Sequence, residues 1–273
     1  MHTIKAALEE LMASMDRADA QVIISHVLGV NRAYIAANPM RILTETEDAK
    51  IDVLAAQRAM GAPIAYLTAK REFYGREFEV SPAVLIPRPE TETLVEAALA
   101  RLAPKASILE LGTGSGAIAV TLAAQRPQAR VVATDASARA LAVARANAAR
   151  HGCAERVEFV LGSWYAPLAG RRFDLIVANP PYVAAADPHL ARGDLRFEPQ
   201  QALTDGSRDG LDSIRAIVAG APDHLDRGGW LLFEHGYDQA AAARALLGAA
   251  GLRDIVSLDD LAGIARVAGG KIA

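Results

Sequence analysis

Ser107-Ile108-Leu109-Glu110-Leu111-Gly112-Thr113-Gly114-Ser115-Gly116 decides the fold of this 273-residue chain. Its first half is an apolar run of strand length, and its second half is a loop with glycine at every other position. A short apolar run bounded by glycine fits a strand buried on both faces. The glycines allow a tight turn and close approach of a ligand to the backbone, and the helix after them offers free N–H groups at its start. From this stretch onward strand and helix patterns alternate, which predicts an α/β fold with a mostly parallel sheet. Strands are expected at Ser107–Leu111, 130–134, 156–161, Phe173–Ala178 and 230–234, and two more at 252–257 and 264–268 close a sheet of seven.

Upstream, residues 1–60 show helical spacing and no convincing strand. Ile4, Leu8 and Leu11 share one face, as do Val22, Ile23, Val27 and Leu28. A further helix over 45–60 opens with Thr44 as N-cap and Glu47 three residues later, a capping box. Gly61-Ala62-Pro63 then breaks the helix, and the sequence from Glu72 to Val80 alternates around Gly75 like a hairpin. Pro82, Pro87 and Pro89 stiffen the stretch after the hairpin. The expected organisation is a small helical bundle at 1–60, a hairpin and extended linker at 61–90, and the sheet domain at 91–273.

Hydrophobic residues make up 52% of the chain and charged residues 22%, a globular balance. Residues 1–100 carry 10 basic and 14 acidic side chains, leaving 19 and 18 of the totals of 29 and 32 for the rest. Neither part has the basic surplus of a protein that holds nucleic acid by its phosphates, so no direct nucleic-acid partner is expected. Six histidines lack ligand spacing, and no metal site is expected. Cys153 is the single cysteine, which excludes an internal disulfide and fits a reducing cytoplasm. No apolar stretch has the length of a membrane span, and the N-terminus shows no basic-then-apolar signal pattern.

The chemistry concentrates at strand ends, where open α/β sheets bind ligands. Asp135 ends the second strand of the sheet, 19 positions after Gly116, and its carboxylate suits the two hydroxyls of a ribose. Gly112, Gly114 and Ala117 with Asp135 also satisfy the dinucleotide fingerprint, so an NAD-dependent oxidoreductase stays open at this point. Glu110 points the other way. An acid beside the first glycine suits a cationic group better than a pyrophosphate, and S-adenosylmethionine carries an amino group and a sulfonium but no phosphate. Gly162-Ser163-Trp164 comes after the third strand, where the indole can lie against an adenine or serve the core.

Asn179-Pro180-Pro181-Tyr182 directly succeeds the buried run Phe173–Ala178. Two prolines take the backbone out of the sheet stiffly, with an amide on one side and an aromatic ring on the other. The Asn179 carbonyl oxygen and the Pro180 carbonyl can each accept one N–H of a planar –NH2 group. That orients the nitrogen and stabilises positive charge as a bond to it forms, while Tyr182 packs on the flat group. The turn suits methylation of a planar –NH2, and by itself leaves adenine and glutamine equally open.

The chain resembles the protein-(glutamine-N5) methyltransferases that modify class-1 peptide chain release factors, the HemK/PrmC family. The resemblance rests on 61–68, on Arg71-Glu72-Phe73-Tyr74 and on Leu85-Ile86-Pro87-Arg88-Pro89-Glu90-Thr91-Glu92. It rests also on the Glu110–Gly116 loop, Asn179–Tyr182, Arg196-Phe197-Glu198-Pro199 and Glu234-His235-Gly236. It implies a helical domain that docks the release factor and a Rossmann-like class I methyltransferase domain. It also implies S-adenosylmethionine as donor and the glutamine of a Gly-Gly-Gln loop as acceptor. The implied cofactor residues are Glu110, Gly112, Thr113, Gly114, Ser115, Gly116, Asp135, Trp164 and Asn179. The substrate amide would meet Asn179, Pro180, Pro181 and Tyr182. An N6-adenine nucleic-acid methyltransferase is the alternative, and an adaptor that binds the cofactor without catalysis is a third. The polar segment 187–210 is expected to cover the substrate, and His235 to be a structural hydrogen-bonder.

Overall fold

The structure, a computed structural model, describes residues 2–273 and divides into two compact units, one ending at Lys70 and the other spanning Arg71–Ala273. The first is built from helices α1 (Ile4–Leu11), α2 (Arg17–Leu28), α3 (Arg32–Ala37), α4 (Glu45–Ala59) and α5 (Ile64–Thr68). Thr3, Asp16, Asn31 and Thr44 cap the first four, each accepting a backbone N–H of the first turn. The Thr44–Glu47 capping box is present in both directions. Ile4, Leu11, Ile23, Ile24, Ile35 and Ile51 form the core of this unit. Helix α5 lies where an extended connection was expected. It is five residues long, begins after Pro63 and ends at Ala69 with φ +56°, too short for periodicity to mark it.

A hairpin follows, β1 (Lys70–Phe73) and β2 (Arg76–Glu79), all but its first residue in the second unit. Its turn residues Tyr74 and Gly75 both have positive φ, +52° and +69°, the primed geometry that matches strand twist. Then come α6 (Glu92–Leu99), β3 (Ser107–Leu111), α7 (Ala117–Gln125), β4 (Arg130–Asp135), α8 (Ala138–Arg150), β5 (Val157–Leu161), β6 (Phe173–Ala178), α9 (Asp212–His224), β7 (Leu225–Glu234), α10 (Ala240–Ala249), β8 (Arg253–Asp259) and β9 (Ala265–Lys271). The seven-stranded sheet has the order β5-β4-β3-β6-β7-β9-β8, parallel from β5 to β7, with β9 antiparallel to both neighbours. This is the expected α/β architecture. Strand β7 starts five residues before the expected position, because Asp226-Arg227-Gly228-Gly229 looks like a turn, yet Leu225 already pairs with Phe173.

Neighbouring residues of the central strands serve opposite faces. Ile108, Leu175 and Val177 belong to one apolar cluster with Leu94 and Val120, whereas Leu109, Ile176 and Ala178 join a second with Ile214 and Phe233. Period-two alternation between two buried faces is why these strands appear as continuous apolar runs. Strand order reverses between β3 and β6, so the loops after these strands diverge and leave a crevice at their carboxyl ends. The buried Asn147 of α8 braces the crevice. Its Nδ2 donates to the carbonyls of Glu79 and Ser115, both at 2.9 Å, and its Oδ1 accepts from the Glu79 N–H at 2.7 Å.

Candidate active site

A pocket opens at this crevice, walled by the glycine loop, by Asp135, by Gly162-Ser163-Trp164, by Asn179 and Pro181, and by the segment from Ala83 to Arg88. Gly112, Gly114 and Gly116 have φ of +74°, +54° and +80°, a region that side-chain-bearing residues rarely adopt. A Cβ on Gly116 would also lie 3.1 Å from that of Ala144, so the loop packs tightly on α8. The segment after the hairpin buries Val84 and Ile86 and presents Pro87 and Arg88 to the pocket.

Glu110 is buried, and its Oε2 accepts from the Thr113 hydroxyl at 2.5 Å and from the Ala119 N–H at 3.0 Å. Burial raises its pKa to about 8, and the charge of Asp135 adds to the shift. Asp135 accepts one backbone N–H on each oxygen, from Gly114 and Ser137, both at 2.8 Å. Burial raises its pKa too. One N–H per oxygen leaves lone pairs on both for further donors. Trp164 has φ +45°, a conformation that costs a large residue about 1 kcal/mol or more. A Cβ added to Gly112 would sit 3.5 Å from the indole, so the ring lies over the glycine turn.

The asparagine-diproline turn has partners remote in sequence. Asn179 Nδ2 donates to the hydroxyl oxygen of the buried Thr91 at 3.1 Å. Among the described residues, neither Asn179 Oδ1 nor the Pro180 carbonyl receives a hydrogen bond. Asn179 and Pro181 face the pocket, whereas Pro180 and Tyr182 are not on its wall. The Tyr182 ring packs against the second apolar cluster, and its hydroxyl donates to Glu234 Oε1 at 2.9 Å. Burial first, and then the Glu234 charge, push the Tyr182 pKa well above the usual tyrosine value. Gln239 Nε2 donates to the Tyr182 carbonyl at 3.0 Å and to the Asp209 carbonyl at 2.9 Å.

Gly210 passes so close that an added Cβ would lie 2.1 Å from the Tyr182 carbonyl oxygen, at φ +67°. Gly210→Ala should therefore destabilise the protein by about 3 kcal/mol or more, since strain and a backbone clash combine. Urea unfolding measures this, and an unchanged midpoint would refute the close approach.

The segment 187–210 contains three short 3-10 helices, Pro188–Ala191, Gly193–Phe197 and Gln200–Ala202. Buried Glu198 anchors it, accepting from the Ile86 N–H at 2.9 Å and pairing with Arg88. Beyond that anchor, Pro199, Gln201 and Ala202 join the pocket wall. His235 is fully buried, with Nδ1 against the Gly236 carbonyl at 2.8 Å. Among the described residues no group of three or more histidine, cysteine or acidic side chains has metal-binding geometry. No helix there is long and apolar enough to cross a membrane.

Residues 1–68 match the PrmC N-terminal domain, and residues 89–195 match the methyltransferase small domain. The release factor glutamine methyltransferase of Bordetella pertussis is 52% identical over 272 residues, 97% of this chain and 99% of that protein. The one from Burkholderia pseudomallei is 52% identical over 276 residues, 97% and 96% of the two chains. This chain belongs to the release factor glutamine methyltransferase family. A crystal structure of a methyltransferase from Pyrococcus furiosus shares the fold, with a TM-score of 0.56 at 20% identity over 79% of this chain and 95% of that one.

In this member of the release factor glutamine methyltransferase family, sequence reasoning did not single out Thr91, Glu234, Gln239, Asn147 or Gly210 individually. Thr91 and Glu234 lie inside blocks that carry the family resemblance, which was a usable signal. Gln239, Asn147 and Gly210 had none, because their partners are other parts of the chain.

Proposed function

We propose that this chain transfers a methyl group from S-adenosylmethionine to the side-chain amide nitrogen of a glutamine in a peptide chain release factor, within the Gly-Gly-Gln motif of the class-1 factors. The observation that carries this reading is the Asn179 amide, whose Nδ2 is occupied by Thr91 so that Oδ1 remains as an acceptor beside the pocket.

The pocket suits the donor. Glu110 and Asp135 are its acids, and the cation on its described wall, Arg88, is paired with Glu198. A pyrophosphate would meet Asp135 and gain nothing from Glu110, whereas an ammonium or a sulfonium is favoured because a cation promotes ionisation of Glu110. This weighs against the NAD reading. Asp135 retains lone pairs for ribose hydroxyls, and Trp164 offers a flat face for adenine. S-adenosylmethionine, when bound, supplies a methyl group on a sulfonium whose sulfur leaves with the C–S electron pair.

Asn179 Oδ1 and the Pro180 carbonyl each accept one N–H of the glutamine amide. An amide nitrogen is a poor nucleophile because its lone pair is delocalised. Two fixed acceptors orient it and stabilise the positive charge that grows as the N–C bond forms. The nitrogen loses its proton after transfer, so no strong base is required beforehand. The cytoplasm, where peptides are released from ribosomes, is the compartment this reading assigns.

Labelled S-adenosylmethionine offered with a release factor or with DNA tests the proposal. One added methyl group on the tryptic peptide containing the Gly-Gly-Gln glutamine is expected. Label on DNA and none on that peptide would overturn it. Asp135→Ala should weaken S-adenosylmethionine binding by about 10- to 100-fold, the worth of hydrogen bonds to a charged acceptor. Calorimetric titration reads this directly, and an unchanged affinity would remove Asp135 from the ribose site.

A further inference from the structure

Glu198 ties together two parts of the donor pocket that lie far apart in sequence. Its side chain is fully buried. Oε2 accepts the Ile86 N–H at 2.9 Å, and Oε1 pairs with the Arg88 guanidinium. Arg88 lines the pocket with Pro87 and the residues from Ala83 to Leu85, and Pro199, directly after Glu198, lines it as well. Glu198 itself is not on the wall. Among the described residues of that wall Arg88 is the only cation, and its side chain is 28% exposed. A ligand in the pocket therefore meets an arginine whose counter-charge is buried away from it.

We propose that Glu198 sets the preference for donor over product: by cancelling the charge of Arg88 it lets the pocket hold the sulfonium of S-adenosylmethionine more tightly than the neutral thioether of S-adenosylhomocysteine. This rests on the S-adenosylmethionine reading of the pocket and deepens it. The two ligands share the adenosine and the amino-acid end, and differ by one methyl group and one positive charge. The field at the sulfur is what acts on that charge. An unopposed guanidinium on the wall repels a sulfonium and leaves a thioether almost untouched. Paired with Glu198, the arginine presents a dipole instead of a net charge, and the remaining ionic groups of the wall are acids. The Ile86 N–H fixes the carboxylate, so the pair escapes much of the side-chain freedom that weakens exposed ion pairs. Methyl transfer converts the sulfonium into the thioether, so the same field relaxes its hold on the product once the reaction is over.

Calorimetric titration of the full-length protein with each ligand gives the ratio of the two affinities. Glu198→Gln keeps the size of the side chain and one acceptor oxygen but removes its charge. It should lower the preference for S-adenosylmethionine over S-adenosylhomocysteine by about fivefold or more, the effect of one unopposed, partly screened charge at pocket distance. A role confined to holding the wall together would weaken both ligands alike, so an unchanged ratio overturns the proposal. Arg88→Met added to Glu198→Gln removes the unopposed charge and should return the ratio to within about twofold of wild type. A ratio that stays low in the double variant speaks equally against Arg88 as the intermediary. If Glu198→Gln fails to fold, Arg88→Met alone carries the test. It keeps the carboxylate and loses the cation, so its preference for S-adenosylmethionine should be at least that of wild type, and a lower preference overturns the proposal. Wild-type protein that binds neither ligand would instead overturn the underlying reading of the pocket.

Discussion

Alanine at Asn179 should lower the turnover of glutamine methylation by about 10²- to 10³-fold, the usual loss when one fixed partner of a charge-developing group is removed. The acceptor lost is Oδ1, which no donor among the described residues engages. Its interaction strengthens as the amide nitrogen gains positive charge, so the effect falls on kcat more than on KM. S-adenosylmethionine affinity should fall by less than about tenfold, because the glycine loop, Asp135 and Trp164 remain. The truncation also frees the Thr91 oxygen that Nδ2 now occupies. Single-turnover kinetics with a release factor, alongside calorimetric titration of the cofactor, separates the two effects. A variant that binds cofactor normally and still methylates at the wild-type rate would remove Asn179 from the chemistry. Loss of cofactor binding in parallel with turnover would reassign it to the donor site.

The second large effect is a loss of stability as pH rises. Burial raises the Glu110 pKa from the ordinary carboxylate value of 4.5 to about 8. The folded protein therefore holds the proton more tightly than the unfolded chain does. The resulting stability is fully present below about pH 4.5 and is lost progressively as pH rises to about 8, with an upper bound of about 5 kcal/mol. Glu110→Gln keeps an oxygen for Thr113 and Ala119 and removes the ionisation, so its unfolding free energy should be flatter across this window. Asp135 contributes in the same direction, since its pKa is also raised by burial, and Glu110→Gln leaves that part of the slope in place. Denaturant unfolding at a series of pH values measures the difference. Parallel curves for the two proteins would show that Glu110 is ionised in the fold at neutral pH. A cation in this pocket favours ionised Glu110, so cofactor affinity should rise with pH over the same range in wild type and less so in the variant.

The parts of the fold that were legible in the sequence are those that obey a local rule. Ser107–Leu111 and Phe173–Ala178 are buried on both faces, so they appear as continuous apolar runs with unambiguous ends. Thr44 and Glu47 satisfy each other three residues apart, and the turn at Tyr74-Gly75 needs only its own two residues. Helix α5 and the first half of β7 escaped notice because neither has enough repeating residues to show a period. Polar Asp226 and Arg227, with two glycines after them, even suggest the wrong element, and pairing with β6 overrides that preference.

For the site, the residue types at strand ends were legible and their partners were not. Alternating glycines, an acid ending the second strand of the sheet and an amide before two prolines are local statements about what a backbone can do and which atoms it presents. Those features, with the flanking blocks, were enough for the sequence by itself to determine the sheet and the donor class, and to propose Asn179 as an acceptor for a planar –NH2. Only the tertiary structure decided which way each polar group faces. Thr91 is 88 residues from Asn179, Tyr182 is 52 from Glu234, and Arg88 is 110 from Glu198. Hydrogen bonds are short and directional, and a buried polar group takes whichever partner chain closure brings to it. No periodicity along the chain encodes that choice.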